Sequence, residues 1–266
     1  YGVRWDSRQL VSMRSREPFA FDAEQPLPWA DASAATGVTA GGESMLYFVA
    51  RRSGEVRLQR ARLEGGRTGS PEPVSLRGAS GVTPAWPQAV ALPDGRVLLA
   101  FVEAQRRVFV GTDDGRRDRF DVREVPHGGG DLMGVLAHVG TTTRGTWVLT
   151  YQAADPRWQF RAFVVTSSDA GASWSAPAPL GDGTADAFPI ARRDEGADVY
   201  YVAGPPRRRS VHRRSLREDG SLGAPQVVTA DEVTPVEKPQ PRRLPDGRVA
   251  LMFTLVRGAA AGDLAF

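Results

Sequence analysis

The chain has 266 residues, no cysteine and a formal net charge of +3 at pH 7. Disulfide and thiol chemistry are therefore excluded, and the small net charge argues against a nucleic-acid-binding surface. No apolar run reaches the length of a membrane-spanning helix. Lys238 is the only lysine beside many arginines, a bias that indicates a GC-rich genome. The length suits one all-β domain over residues 1–266.

Short apolar segments follow one another at a regular spacing. A short segment at 19–23, Phe-Ala-Phe-Asp-Ala, precedes this series and lies outside its spacing. Five longer runs then recur about 50 residues apart, over 45–49, 97–101, 147–151, 199–202 and 249–253. Each run is too short for a core helix, is bounded by Gly or Pro, and is rich in β-branched and aromatic residues. These properties predict buried β-strands.

Turn signals separate these strands. Pro93-Asp94-Gly95 and Pro245-Asp246-Gly247 both stand directly before an apolar run. Pro-Asp-Gly between two apolar segments predicts a tight hairpin turn, because Asp hydrogen-bonds its own turn and Gly accepts a positive φ. Their aspartates are therefore interpreted as turn formers rather than catalytic groups.

The spacing predicts a β-propeller. A four-stranded blade takes roughly 40–50 residues, so five copies predict five four-stranded blades in a single all-β domain. The residues left at the two ends are too few for a sixth blade, although six blades remain the alternative. We expect the N- and C-terminal segments to close the ring together, with residues 19–23 as the outer strand of the last blade.

One motif carries a family resemblance. Residues 167–174 read Ser-Ser-Asp-Ala-Gly-Ala-Ser-Trp, which resembles the Asp box, or BNR repeat, of sialidase-like β-propellers. In such a turn the Asp accepts backbone hydrogen bonds, Gly supplies a positive φ and Trp anchors the turn in the sheet. The resemblance implies a structural role for Ser167, Asp169, Gly171 and Trp174, away from any active site. It also implies a secreted or periplasmic protein.

The same resemblance implies where a sialidase would hold its substrate. Three arginines at the beginnings of inner strands bind the sialic-acid carboxylate in that family. The corresponding slots here carry Ala85, Leu132, Ala187 and Glu237. A Tyr–Glu nucleophile pair is not identifiable either. We therefore do not expect sialidase activity.

Candidate ligand-binding residues lie where the inner strands begin and in the turns between second and third strands, at the upper mouth of the propeller channel. Aromatic rings there would stack on a sugar, and basic groups would hold an anionic substituent. Carboxylates from neighbouring blades would supply hydrogen-bond acceptors, or a general acid and base if the protein is an enzyme. The predicted ligand-binding residues are Trp86, Phe188, Lys238, Trp158 and Arg207. The predicted catalytic residues of an enzyme are Asp131, Asp186 and Glu237.

Three functions remain open from the sequence. The favoured interpretation is a non-catalytic module that binds a glycan or another small polar ligand. The first alternative is a glycoside hydrolase that uses two upper-face carboxylates on a non-sialic substrate, and the second is a structural or protein-interaction propeller. No cofactor is predicted. No metal site is predicted either, because His127, His138 and His212 fall on different elements.

Overall fold

The structure, a computed structural model, groups the chain into two compact units, Tyr1–Val125 and Pro126–Phe266, and each is considered by itself. Every regular element in its described part is a β-strand. The residues outside the description are 1, 5–8, 13–14, 18–19, 22–24, 27–28, 30–31, 53, 66, 105, 127–132, 155–158, 206–207, 230–235, 245, 258–260 and 266.

The first unit begins with five short strands. They are β1 (Gly2–Arg4), β2 (Gln9–Ser12), β3 (Ser15–Glu17), β4 (Ala20–Phe21) and β5 (Gln25–Pro26). Strands β1, β2 and β5 form one antiparallel sheet, and β3 pairs with β4.

Two larger sheets complete the first unit. Sheet 1 contains β6 (Ala32–Ala40), β7 (Glu43–Arg52), β8 (Glu55–Glu64), β9 (Arg67–Thr68) and β10 (Glu72–Pro73). Sheet 2 contains β11 (Ser75–Arg77), β12 (Pro84–Ala91), β13 (Val97–Glu103), β14 (Arg107–Asp113) and β15 (Arg119–Glu124). Strand β11 lies parallel to β15, so the connection from sheet 1 covers the outer edge of sheet 2.

The second unit contains three sheets. Sheet 3 consists of β16 (Met133–Thr141), β17 (Trp147–Ala154), β18 (Phe160–Ser167) and β19 (Ala178–Pro179). Sheet 4 consists of β20 (Ala185–Ala191), β21 (Ala197–Ala203), β22 (Ser210–Leu216) and β23 (Gln226–Val227). Sheet 5, in the described residues, consists of β24 (Val236–Arg243), β25 (Val249–Arg257) and β26 (Ala261–Ala265).

The predicted number of five blades is wrong. Sheets 1–4 each contain four or more strands, which gives four blades in the described residues. In the described residues sheet 5 has three strands, and the segment predicted to complete it pairs elsewhere. Ala20–Phe21, the described part of 19–23, pairs with β3. The predicted closure of the last blade by this segment is therefore also wrong.

The predicted strands themselves are confirmed. The inner strands are β6, β12, β16, β20 and β24, each at one edge of its sheet. Counted from them, all five apolar runs lie in the second strand of sheets 1–5, that is in β7, β13, β17, β21 and β25. Every residue of β17 is buried, and the side chains of Leu98, Leu99 and Phe101 in β13 are fully buried. A strand with neighbours on both faces and both edges has no solvated side, so its sequence is apolar without alternation.

The two Pro-Asp-Gly segments form equivalent turns. The amide of Leu92 donates to the carbonyl of Arg96 at 2.8 Å, and Gly95 adopts φ 83°. In the other turn the amide of Leu244 donates to the carbonyl of Arg248, also at 2.8 Å. Asp94 accepts the Arg96 amide, and its pKa lies below the ordinary value chiefly because the Arg96 side chain also donates to it. This geometry agrees with the predicted role of the aspartates as turn formers.

The turn between β18 and β19 is held by side chains of residues 167–174. Asp169 accepts hydrogen bonds from the Ser173 hydroxyl at 2.6 Å, the Ser173 amide at 2.9 Å and the Ser167 hydroxyl at 2.8 Å. These bonds lower the pKa of Asp169 to about 2. Gly171 adopts φ 82°, and a Cβ atom there would lie 2.7 Å from the Trp147 ring. The Trp174 ring also lies beside Trp147, with ring centroids 6.5 Å apart.

Candidate functional site

The inner strand of each sheet contains one irregularity near its beginning. The register against the second strand shifts between Ser33 and Ala35, Ala85 and Gln88, Met133 and Leu136, Ala185 and Phe188, and Glu237 and Gln240. These are β-bulges, which bend a strand and re-aim its side chains. The tight turns described above lie at the opposite end of the inner strands. The end with the irregularity is called the bulge end below.

Four of the five bulges hold a non-glycine residue in the left-handed region. Ala34, Trp86, Asp186 and Lys238 have φ values of 47°, 52°, 47° and 51°. A left-handed conformation costs a residue with a Cβ atom roughly 1–2 kcal/mol. Bulky or charged residues keep it only where the surrounding structure imposes it, and such positions are concentrated at functional sites. The bulge ends of the inner strands are therefore candidate sites within each unit.

In the second unit, hydrogen bonds connect two consecutive bulges. The amide of Asp186 donates to Oε1 of Gln152 at 2.8 Å, and Oδ2 of Asp186 accepts the amide of Lys238 at 3.2 Å. Both Gln152 and Asp186 are buried, at 8% and 9% exposure. The Thr150 hydroxyl donates to the carbonyl of Ala187, the other residue of the same bulge. Two predicted site residues, Asp186 and Lys238, are thus brought into contact.

Phe188 follows this bulge and packs on a histidine. Its ring lies 3.6 Å, centroid to centroid, from the ring of His138 on β16. One face of Phe188 is therefore covered by the imidazole. Burial lowers the pKa of His138 from 6.5 to about 3, and the positive charge of Arg242 makes a smaller contribution in the same direction. The imidazole is consequently neutral above that pH.

In the first unit, Trp86 occupies the left-handed position of β12. The residue is 37% exposed, so a large part of an apolar ring reaches solvent. Pro87 follows it directly in the sequence. A large aromatic residue at a strained backbone position is unusual, and its ring is accessible to a ligand at the bulge end of sheet 2.

The remaining predicted site residues are not all described. Asp131, Trp158 and Arg207 lie outside the described residues. Glu237 belongs to β24 beside Lys238, but its side chain lies outside the description. The grouping of all eight predicted residues around one ligand therefore stays a prediction.

Gln152 was not predicted as part of the site. It is a polar residue at the end of an otherwise apolar run, Trp-Val-Leu-Thr-Tyr-Gln-Ala-Ala. A polar side chain within a strand buried on both faces must find a hydrogen-bond partner, and this was the available signal. The partner, a backbone amide 34 residues away, was not visible in the sequence.

Within the described part of the chain, no three His, Cys, Asp or Glu side chains group closely enough to hold a metal ion. The described residues also include no helix that is long and apolar enough to cross a membrane.

No protein-family model matches the chain, and no curated protein matches it. Solved structures do. A protein of unknown function from Dyadobacter fermentans DSM 18053 superposes with a TM-score of 0.71 at 14% identity, over 96% of this chain and 82% of that one. The Hadza microbial sialidase Hz136 gives a TM-score of 0.60 at 13% identity, over 85% of this chain and 53% of the sialidase.

A third similar structure is an endo-arabinase from Bacteroides thetaiotaomicron. Its TM-score is 0.56 at 11% identity, over 87% of this chain and 92% of that one. At these identities the likeness concerns the fold alone. The fold is an all-β propeller, as the sequence predicted.

Proposed function

We propose that this chain is a non-catalytic propeller module that binds a glycan or another small polyhydroxylated ligand at the bulge end around Asp186 and Lys238. The left-handed backbone of Asp186, at φ 47°, carries the proposal. Its amide and its carboxylate are both held by hydrogen bonds, which gives a ligand a fixed acceptor. Pre-organisation of this kind reduces the entropy lost on binding.

The chemistry of the site suits a sugar. Hydroxyl groups donate well to a carboxylate, and such charge-assisted hydrogen bonds are stronger than neutral ones. Lys238 has an exposed side chain that can donate to ring or hydroxyl oxygens or to an anionic substituent. Phe188 borders the same bulge. Asp131, Trp158, Arg207 and Glu237 belong to the proposal from their sequence positions.

Trp86 is proposed as a separate sugar-stacking position on the first unit. Its ring is accessible and held by a bulge of the same kind. An apolar sugar face packs on an indole ring without needing a directed hydrogen bond. Trp86→Phe would then weaken sugar binding less than Trp86→Ala, because the smaller ring still offers a flat apolar face.

Titration with defined sugars tests the proposal. The probes are arabinotriose, chosen because an endo-arabinase shares the fold, and 3′-sialyllactose, chosen because a sialidase does. Binding is followed by isothermal titration calorimetry and saturation-transfer NMR. Asp186→Asn keeps the size and the tolerance of a left-handed backbone but removes the charge. We expect it to weaken arabinotriose binding by about 10- to 100-fold, the range of one charge-assisted hydrogen bond.

The matched control for this experiment is Asp246→Asn, which removes a carboxylate at the opposite end of an inner strand. It should leave the sugar affinity within twofold of that of the unmodified protein. Equal affinity of Asp186→Asn and the unmodified protein would exclude this location. Absence of binding by every probe would reject the sugar-binding function and favour a structural or protein-interaction role.

The hydrolase alternative is tested in the same samples. Nitrophenyl glycosides of arabinofuranose, xylose and galactose are incubated with the protein, and nitrophenol release is measured. The proposal expects no release above background. Release that Glu237→Gln or Asp131→Asn abolishes would instead identify an enzyme with two carboxylates.

We also propose that the protein is secreted or periplasmic, where a glycan ligand is accessible. Cell fractionation of the native host, followed by immunodetection, tests this location. Detection in the cytoplasmic fraction alone would contradict it.

A further inference from the structure

The bulge of β20 is held from outside its own sheet. Gln152 and Thr150 are two residues apart on β17, so they lie on one face of that strand. Gln152 accepts the amide of Asp186, and Thr150 donates to the carbonyl of Ala187. The exposed fractions of Thr150 and Gln152 are 0% and 8%. Two buried side chains of sheet 3 therefore hold the backbone of the bulge in sheet 4.

The bulge leaves backbone groups of β20 that need hydrogen-bond partners outside the regular ladder. Ala185 pairs with Val202 and Phe188 with Tyr200, so the two residues between Ala185 and Phe188 face a single residue of β21. The amide of the bulged residue is then displaced from the regular ladder. A buried amide without an acceptor is unfavourable, and the Gln152 oxygen at 2.8 Å supplies one.

The hydrogen-bond chain continues to the next inner strand. Oδ2 of Asp186 accepts the amide of Lys238, which is 52 residues further along the chain. Gln152, Asp186 and Lys238 thus form a series. The side-chain oxygen of Gln152 orients the Asp186 amide, and the side chain of Asp186 orients the Lys238 amide. We call this series the bulge relay.

The strand itself does not require a side-chain amide at position 152. The first residue of the second strand that pairs beyond the bulge is Gln152 in sheet 3, Ala100 in sheet 2, Tyr200 in sheet 4 and Met252 in sheet 5. Apolar residues and a tyrosine therefore fill the equivalent place elsewhere. Methionine is close to glutamine in length and lacks its oxygen, so sheet 5 provides a natural isostere.

We propose that Gln152 is a positioning residue: through the bulge relay it orients the Asp186 carboxylate and the Lys238 backbone, and so sets sugar affinity and specificity. The inference rests on the proposed function for its consequence in binding. Gln152 acts through Asp186. A ligand that donates two neighbouring hydroxyl groups would depend most on this fixed orientation.

The relay is tested first without any ligand. Amide hydrogen exchange is measured by NMR in the unmodified protein, in Gln152→Met and in Gln152→Glu, which keeps an acceptor oxygen. We expect Gln152→Met to accelerate exchange of the Asp186 and Lys238 amides at least tenfold, and Gln152→Glu to keep both protected. The amide of Ala162 in sheet 3, bound to the hydroxyl of Thr184 directly before β20, serves as the internal control.

Three results of this experiment would overturn the relay. The first is unchanged exchange of the Asp186 amide in Gln152→Met. The second is acceleration at Asp186 with no change at Lys238, since the coupling between the bulges would then be absent. The third is acceleration of the Ala162 amide to the same degree, which would indicate general loosening.

A double-mutant cycle then tests the effect on binding. Arabinotriose affinity is measured for the unmodified protein, Gln152→Met, Asp186→Asn and the double variant. If Gln152 acts through Asp186, Gln152→Met weakens binding about fivefold or more alone and less than twofold in the Asp186→Asn background. Equal weakening in both backgrounds would indicate a merely structural role.

The two failures can be told apart. If the unmodified protein binds no sugar probe, the proposed function fails, and the hydrogen-exchange experiment still decides the relay. If sugars bind and the cycle is additive, the function stands while the positioning role of Gln152 is rejected.

Discussion

Glu218 is predicted to be a major stabilising group of the second unit. It lies in the turn between β22 and β23 and accepts four hydrogen bonds. Three come from the inner turn of sheet 3: the hydroxyl of Thr142 at 2.7 Å, the hydroxyl of Thr146 at 3.2 Å and the amide of Arg144 at 3.3 Å. The fourth comes from the amide of Gly196 in sheet 4 at 3.1 Å. One carboxylate therefore connects the turns of two sheets.

The magnitude follows from these four bonds. A hydrogen bond to a charged group contributes about 1.5–3 kcal/mol when buried, and much less where water competes. Thr142 is 1% exposed, so its hydrogen bond to Glu218 is expected to contribute about 1.5–3 kcal/mol. The Glu218 carboxylate itself is partly exposed to water. We expect Glu218→Ala to lower the free energy of unfolding by about 2–3 kcal/mol. Glu218→Gln keeps one acceptor oxygen and should lower it by about 1 kcal/mol.

The pH dependence of this effect has a definite sign. Burial alone would raise the pKa of Glu218, but the hydrogen bonds outweigh it, so the pKa lies below the ordinary 4.5. A group with a depressed pKa in the folded state stabilises the fold above its unfolded-state pKa and loses that contribution as pH falls through the folded value. The difference between the unmodified protein and Glu218→Gln should be full at pH 7 and should decrease below pH 4.5.

Urea unfolding and calorimetry at pH 7, 4 and 3 measure this difference. Glu195→Gln is the matched control, because Glu195 is exposed and pairs only with the exposed Arg144 at 3.2 Å among the described contacts. Its effect should stay below about 0.5 kcal/mol, as for most exposed ion pairs. A Glu218→Gln effect that persists or grows at pH 3 would refute the reasoning.

Three further predictions follow from the turns and the inner strands. Asp169→Ala removes three turn hydrogen bonds and should lower Tm without changing sugar affinity; lost binding in a variant with unchanged Tm would contradict this. Gly196→Ala should lower the Tm more than Gly145→Ala, because both glycines have positive φ but only at Gly196 would the new Cβ lie 2.1 Å from a backbone carbonyl oxygen. Equal Tm values for the two variants would contradict this. Fluorogenic sialosides should not be hydrolysed, because Ala85 and Ala187 stand where arginines would bind the carboxylate, and robust release abolished by Asp186→Asn would disprove this.

The second strands were predictable because their signal is local. A strand enclosed on both faces is apolar throughout, and the runs at 97–101 and 147–151 needed no long-range information. The blade number was not predictable in the same way. It depends on whether the segment 19–23 pairs with C-terminal strands or with a near neighbour, and the short apolar segment is compatible with both. The structure pairs Ala20–Phe21 with β3.

The candidate site was predictable only in part. Asp186 and Lys238 were expected to meet because both lie at the beginnings of inner strands. Their left-handed conformation was not foreseen, since glycine is the usual sequence signal for positive φ and neither position has one. The role of Gln152 depends on a hydrogen bond to a displaced backbone amide, which no side-chain pattern indicates.

Strain at Lys238 should make stability and binding change in opposite directions. Lys238 has φ 51° and an exposed side chain. Lys238→Gly relieves a left-handed penalty of roughly 1–2 kcal/mol and adds about 0.5–1 kcal/mol of chain entropy to the unfolded state. The net expectation is a stabilisation of about 0.5–1 kcal/mol, together with weaker arabinotriose binding because the ammonium group is lost. Lys238→Ala removes the same ammonium group and keeps the strain, so it should weaken binding equally with no gain in Tm. A Tm of Lys238→Gly at or below that of Lys238→Ala would show that the bulge stores no strain, and the argument that strain marks this site would lose its basis.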